Sequence, residues 1–168
     1  MAKIILSVVL ATRNEQENIA RCLDSVKNIA DEIVIADEKS TDSTVEIAKS
    51  FGAKVISVTH EDNFHITKNI AIKAAKGLWI LQLDADEVVS AEMAKEVISV
   101  INSHPKENGF WVNRRNWFLD RFLSKGGQYP DPTMRLYRNG QGVLPAADVH
   151  EQARVSGTLG HLKGDLLH

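Results

Sequence analysis

The sequence predicts an α/β fold: a central, mostly parallel sheet flanked by helices, Rossmann-like in its layering. Two observations lead there. Short β-rich runs alternate with helical periodicities through the first hundred residues, and the runs are apolar throughout, as in strands buried on both faces. A third observation concerns chemistry. The first, second and fourth runs end in "TRNE", "DEKSTD" and "DADE", which a parallel sheet gathers along its carboxyl edge, where ligands bind.

Each element has a local reason. "IILSVVLA" is the first strand, and Glu15 to Ile29 carries apolar residues at helical spacing (19, 22, 23 and 26). "EIVIAD" is the second strand. "STDSTVEIAKSFG" reads as a helix with a capping box at Ser43 and Glu46 and a stop at Gly52. "AKVISV" is the third strand, His65 to Lys76 a helix ended by Gly77, and "LWILQLD" the fourth strand. A last helix starts near Ser90, with Met93, Val97, Ile98 and Ile101 on one side. Beyond residue 104 the pattern turns mixed: "GFWVNRRNWF", "MRLYR", "GVLP" and "VHEQARVSG" read as strands around a loop rich in glycine and proline. The expectation is one domain, with residues 1–104 as the nucleotide-binding half and 105–168 as the acceptor-side half, short at its C-terminus.

Composition narrows the function. The chain has 168 residues and a net charge of −2 with scattered basic residues, which argues against a phosphate-tracking nucleic-acid surface. The single cysteine, Cys22, excludes an internal disulfide and sits on an apolar helical face, where a small buried hydrophobe is expected. No run is long enough to span a membrane, and the start reads better as a buried strand than as a signal peptide. The expected location is the cytoplasm, with peripheral contact to the inner face of the membrane left open.

The stretch "WILQLDADEV" poses the chemical question. Asp84, Asp86 and Glu87 crowd the end of an apolar strand, where like charges repel and burial raises the cost. A divalent cation relieves this, since magnesium or manganese takes one or two carboxylates and leaves its other positions to phosphate and water. The competing reading is a helix-capping cluster ahead of Ser90. A calcium-binding EF-hand lacks its glycine and twelfth-position glutamate here, and a phosphatase of the haloacid dehalogenase type would carry its D-x-D on the first strand.

"LSVVLATRNEQENIARCLDSV", "ADEIVIADEKSTDSTVEIAKSFGA" and "KNIAIKAAKGLWILQLDADE" together resemble the family-2 nucleotide-sugar glycosyltransferases of GT-A fold. "GGQYPDPTMRLYR" and "VHE" resemble the branch that includes lipopolysaccharide-core β-1,4-glucosyltransferases. The resemblance implies a nucleotide-binding role for Thr12, Asn14, Glu15, Asp37, Asp42, Lys68, Asn69 and Asp84, with Asp84 and Asp86 holding Mn²⁺ or Mg²⁺. It implies a nucleotide-sugar donor, UDP-linked by preference, and a saccharide or lipid-linked glycan of the cell envelope as acceptor. Family-2 members invert configuration in a single displacement, so a general base is needed; Glu151 is the first candidate and His150 the second. Arg135 fits a phosphate, Glu151 or an ordinary strand ion pair, and His168 is a candidate diphosphate contact. Trp111 and Trp117 fit either the core or an acceptor sugar.

The sequence departs from the family pattern twice. Glu38 and Lys39 replace the small residues of "DSGSTD", and "HEDNFHIT" stands where "W-x-G-F-x-x-Q" is common. The alternative from another class is a nucleotide-sugar-binding module without transfer activity. A sugar nucleotidyltransferase would need a glycine-rich loop after the first strand, and "ATRNEQEN" has no glycine.

Overall fold

A computed structural model describes residues 4–118, 121–122, 129–145 and 152–168. In chain order the elements are β1 (Leu6–Thr12), α1 (Ile19–Val26), β2 (Glu32–Asp37), α2 (Thr44–Ser50), β3 (Lys54–Ser57), α3 (Phe64–Ala74), β4 (Trp79–Gln82), β5 (Val88–Val89), α4 (Ala91–Asn102), β6 (Gly109–Arg115), β7 (Trp117–Phe118), β8 (Arg121–Phe122), β9 (Asp131–Arg138), β10 (Gly142–Val143), β11 (Arg154–Val155) and β12 (Leu159–Leu167).

One sheet of order β3-β2-β1-β4-β9-β6-β12-β5 organises the chain. Its first four strands are parallel, as their unbroken apolar runs require. Strand β1 shows why: Val8 and Leu10 join a core with α1, α2 and α4, while Val9 joins a second core with α3 on the opposite face. Beyond β4 the sheet becomes mixed. Strand β9 lies antiparallel between β4 and β6, and β12 returns parallel to β6. The predicted α/β sheet flanked by helices is therefore present, and its mixed half follows the change of pattern after residue 104.

Several local expectations are corrected. Helix α1 begins at Ile19 rather than Glu15, because the preceding residues form turns. The capping box at Ser43 and Glu46 does not form; Asp42 Oδ1 accepts from Thr44 N instead, at 3.0 Å. Helix α3 ends before Gly77, whose glycine serves close packing: a Cβ there would lie 2.6 Å from the Ser7 nitrogen. Gly52 does end its helix, at φ +76°.

Strand β12 went unpredicted. It is held against α4 by the Glu96 carboxylate, whose Oε2 accepts from the nitrogens of Lys163 (2.8 Å) and Gly164 (2.9 Å). Gly164 fits only because it has no side chain; a Cβ would come within 2.4 Å of Met93 backbone atoms. Gly164→Ala should therefore lower stability by about 1–3 kcal/mol in urea unfolding, since the clash is with backbone and no rotamer relieves it. An unchanged midpoint would show that β12 is not seated on α4 this tightly.

Candidate active site

The acids at the end of β4 are each met by a cation of the chain itself. Asp84 pairs through Oδ1 with the Lys68 ammonium on α3, and through Oδ2 with Arg135 Nη2 on β9 at 2.7 Å. The same Nη2 lies 2.5 Å from Oε1 of Glu87, and Glu87 Oε2 accepts from the Asp84 nitrogen at 2.8 Å. Asp86 Oδ2 faces His168 Nε2 at 3.3 Å. Lys68, Arg135 and His168 thus offset the charge of Asp84, Asp86 and Glu87 from within the chain. Glu87 does not cap α4; that task falls to Ser90, whose Oγ accepts from Met93 N at 3.1 Å.

The electrostatics follow from these contacts. Burial pushes the Asp84 carboxyl up, but Arg135 and Lys68 outweigh it and hold the group well below the usual carboxylate range. Glu87 is fully buried, and burial wins there: its pKa is raised despite Arg135. The Cys22 thiol is likewise raised, first by burial and then by the nearby acids, which makes it a packed hydrophobe and not a nucleophile.

The first two carboxyl-edge loops interlock. Asp37 accepts from Thr12 Oγ1 (2.9 Å), from Ser40 N (2.9 Å) and from Ser40 Oγ (2.6 Å). Asn14, at φ +54°, donates its backbone N–H to Ser40 Oγ and accepts from Thr41 N through its side chain, both at 2.9 Å. Glu15 N donates to Thr44 Oγ1 at 2.7 Å, and Asp42 Oδ2 accepts from Gln16 N at 3.2 Å. Thr12, Asn14, Glu15, Asp37 and Asp42 thus come together as one braced wall.

Lys68 and Asn69 divide their tasks. Lys68 turns to Asp84, whereas Asn69 bonds both backbone polar groups of Leu144, donating to the carbonyl at 2.8 Å and accepting from the nitrogen at 3.3 Å. His65 Nδ1 meets the Pro145 carbonyl at 2.6 Å. Helix α3 therefore fixes the segment that leads into residues 146–151. His150 and Glu151 lie outside the described residues, as does the side chain of Trp117. Trp111 is half-buried and its ring stacks on His161 with centroids 6.5 Å apart.

The two departures from the family pattern meet at one contact. Glu38, buried on β2's carboxyl side, accepts from Thr67 Oγ1 at 2.5 Å through Oε1 and meets His60 Nδ1 at 2.5 Å through Oε2. Glu38 of the second loop thus contacts Thr67, which stands where the family motif has Gln, and His60, which precedes that motif.

Among the described residues, Asp86 and His168 suit a divalent cation. Asp86 is half-buried and His168 exposed, and their facing O and N atoms are spaced as two neighbouring ligands of one ion would be. With its proton on Nδ1, His168 donates to Asn116 Oδ1, 2.9 Å away, which leaves Nε2 as a ligand nitrogen. Among the described residues no three His, Cys, Asp or Glu side chains converge as a closed cage. An ion held here would take its remaining ligands from phosphate and water. Beside Asp84 a cavity of about 180 Å³ opens between Lys68, Gln82, Arg114 and Arg135.

A sheet that gathers acids and cations beyond the carboxyl ends of parallel strands defines a ligand-binding α/β protein. Residues 7–151 match glycosyl transferase family 2, and the chain belongs to that family. It is 41% identical over 102 residues to an uncharacterised glycosyltransferase of Rickettsia typhi, covering 61% of this chain and 35% of that protein. The lipopolysaccharide core biosynthesis glycosyltransferase LpsC of Rhizobium meliloti is 26% identical over 172 residues, covering 99% of this chain and 63% of LpsC. Among solved structures, S. aureus TarS 1–349 superposes with a TM-score of 0.73 at 18% identity, covering 98% of this chain and 60% of that one; TarS has also been crystallised with UDP. The fold is thus the GT-A fold that the sequence suggested. The chain spans about a third of the length of the Rickettsia relative.

The sequence missed Glu87 as the second anchor of Arg135, and it left Arg135 between several partners. Arg135→Met should cost about 3–5 kcal/mol in urea unfolding, because it strands the buried Glu87 carboxylate. Adding Glu87→Leu should restore most of that loss. A double variant no more stable than the single one would contradict the assignment.

Proposed function

We propose that this chain carries the donor site of a metal-dependent, inverting glycosyltransferase that moves a sugar from a nucleotide diphosphate, UDP by preference, to a cell-envelope glycan. The observation that carries the reading is the Asp86–His168 pair, open to a ligand beside an Asp84 already held by Lys68 and Arg135. Residues 1–104 form the nucleotide side and 105–168 the acceptor side. Family membership supports the transferase class, and the likeness to LpsC supports an envelope glycan as acceptor. Among the described residues no helix is long and apolar enough to cross a membrane.

In this reading the loop wall of Thr12, Asn14, Glu15, Asp37 and Asp42 borders the nucleoside. Lys68, with two ammonium hydrogens free of Asp84, faces the diphosphate. Asp86 and His168 would hold Mn²⁺ or Mg²⁺, which when bound supplies positive charge beside the leaving diphosphate. The acceptor hydroxyl oxygen bonds to the anomeric carbon as the bond from that carbon to the diphosphate oxygen breaks, the electron pair leaving with the diphosphate. The hydroxyl proton goes to Glu151, or to His150 in its place.

Calorimetric titration of UDP should show binding that strengthens with Mn²⁺, and Asp86→Ala should abolish the Mn²⁺ gain while leaving binding in EDTA unchanged. Binding indifferent to both metal and mutation would sink the assignment. Tight binding of donor without sugar transfer to any acceptor would favour the non-catalytic module.

The pH dependence has a definite sign. The hydrogen bond to Asp86 raises the His168 pKa above its ordinary 6.5, although burial opposes it. The ion pair's contribution to stability is therefore full below 6.5 and is lost as pH rises through the raised value. Mn²⁺ needs the neutral imidazole, so its affinity should rise over that same interval and fall on acidification. His168→Ala should remove this pH dependence; affinity that is flat across it in the wild type would contradict the ligand role.

A further inference from the structure

Gln82 ends β4, two residues before Asp84, and is 1% exposed. Neither its Oε1 nor its Nε2 has a hydrogen-bond partner among the described residues. The β4–β9 register pairs Ile80 with Tyr137 and Leu81 with Leu136, and one further step sets Gln82 across from Arg135. Arg135 is also incompletely used: Nη2 holds Asp84 and Glu87, but Nε has no partner. Both residues line the 180 Å³ cavity, together with Lys68, Asp84 and Thr133.

Leaving such groups unpaired is costly, because each buried donor or acceptor has given up its water without a replacement. The rest of β4 is apolar, and a methionine at position 82 would fill the same space without that cost. Native proteins keep few buried polar atoms unsatisfied, and those they keep call for a cause. Here three fall on two facing residues of one cavity, two of them donors and one an acceptor.

The ligand that answers them must both donate and accept. A phosphate group offers only acceptor oxygens at neutral pH and would leave Oε1 unanswered. Hydroxyl groups do both. The cavity is also smaller than the ~300–1,000 Å³ typical of sites for drug-sized ligands, so it suits a single ring and not a whole nucleotide. Neighbouring hydroxyls on one sugar ring meet both conditions, and the cavity's position beside Asp84 puts that ring next to the diphosphate.

We propose that Gln82 is a specificity-determining residue, reading two adjacent hydroxyl groups of the transferred sugar with Arg135 Nε–H as its second donor. The proposal rests on the nucleotide-sugar reading above and goes beyond it by naming the part of the chain that selects the sugar.

The test compares wild type with Gln82→Met, which keeps the volume and removes the amide, and with Gln82→Asn, which keeps the amide but withdraws it by one methylene. Each protein is titrated, in Mn²⁺, with UDP, UDP-glucose, UDP-galactose and UDP-N-acetylglucosamine, and its thermal midpoint is measured. Wild type should bind at least one sugar nucleotide more tightly than UDP. Gln82→Met should bind UDP itself within about twofold of wild type, yet lose about tenfold of the sugar's added affinity, as expected for one or two missing hydrogen bonds. Its preference among the sugars should flatten, and Gln82→Asn should fall between. The thermal midpoint of Gln82→Met should be unchanged or higher, because unsatisfied groups have been removed.

The same sugar gain and ranking in Gln82→Met, with normal UDP affinity, would overturn the role of Gln82 alone. A midpoint lowered by several degrees would also overturn it, by showing the amide already satisfied in the free protein, as an ordered water would do. Wild type that binds neither UDP nor any of the sugar nucleotides would overturn the nucleotide-sugar reading, and this inference with it.

Discussion

The site depends on one guanidinium. Arg135 lies buried between Asp84 and Glu87, and without it two carboxylates would face each other at the end of an apolar strand. Burying three charges is unfavourable unless each is paired and hydrogen-bonded. Here the requirement is met by Arg135, by the Asp84 backbone N–H and by Lys68 from the opposite side. The consequence is functional. Asp84 is fixed as a carboxylate with a defined direction, while Asp86, two residues on, stays open to a ligand and is countered, among the described residues, by His168.

Topology delivers this arrangement. A purely parallel sheet would place another βα unit beside β4; the antiparallel β9 instead brings Arg135 in from a segment 51 residues away in sequence. Strand β12 does the same for His168, carrying it along β6 until its backbone N–H reaches the Arg115 carbonyl at 3.1 Å. The mixed half of the sheet is thus what completes an acid-rich edge begun by the parallel half. That edge is braced separately by the Asp37–Ser40 and Asn14–Thr41 contacts, so the wall formed by the first two loops and the acid cluster are built from different loops.

How much could be read beforehand follows from how local each cause is. The parallel strands were legible because burial on both faces writes a continuous apolar run, and the gathering of three loops follows from strand direction alone. The capping at Asp42 in place of Ser43 was not legible, since adjacent polar residues compete for the same nitrogens and packing decides. Strand β12 does alternate, with Leu162, Gly164 and Leu166 facing inward, but two glycines and two charged residues hide the pattern. Nothing in "WILQL" singles out Gln82; only the structure shows its amide buried and, among the described residues, unpaired. The Arg135–Glu87 pair could not be found at all without knowing that β9 lies beside β4.

The most direct measurement on the site is crystallographic: crystals grown with UDP and Mn²⁺, with anomalous diffraction collected at the manganese edge. The arrangement described here predicts a single strong peak within ligand distance of Asp86 and His168, the diphosphate lying between that ion and Lys68, and Arg135 still on Asp84 and Glu87. A nucleotide bound away from the carboxyl end of β4, or manganese that displaces Arg135 from Asp84, would contradict it.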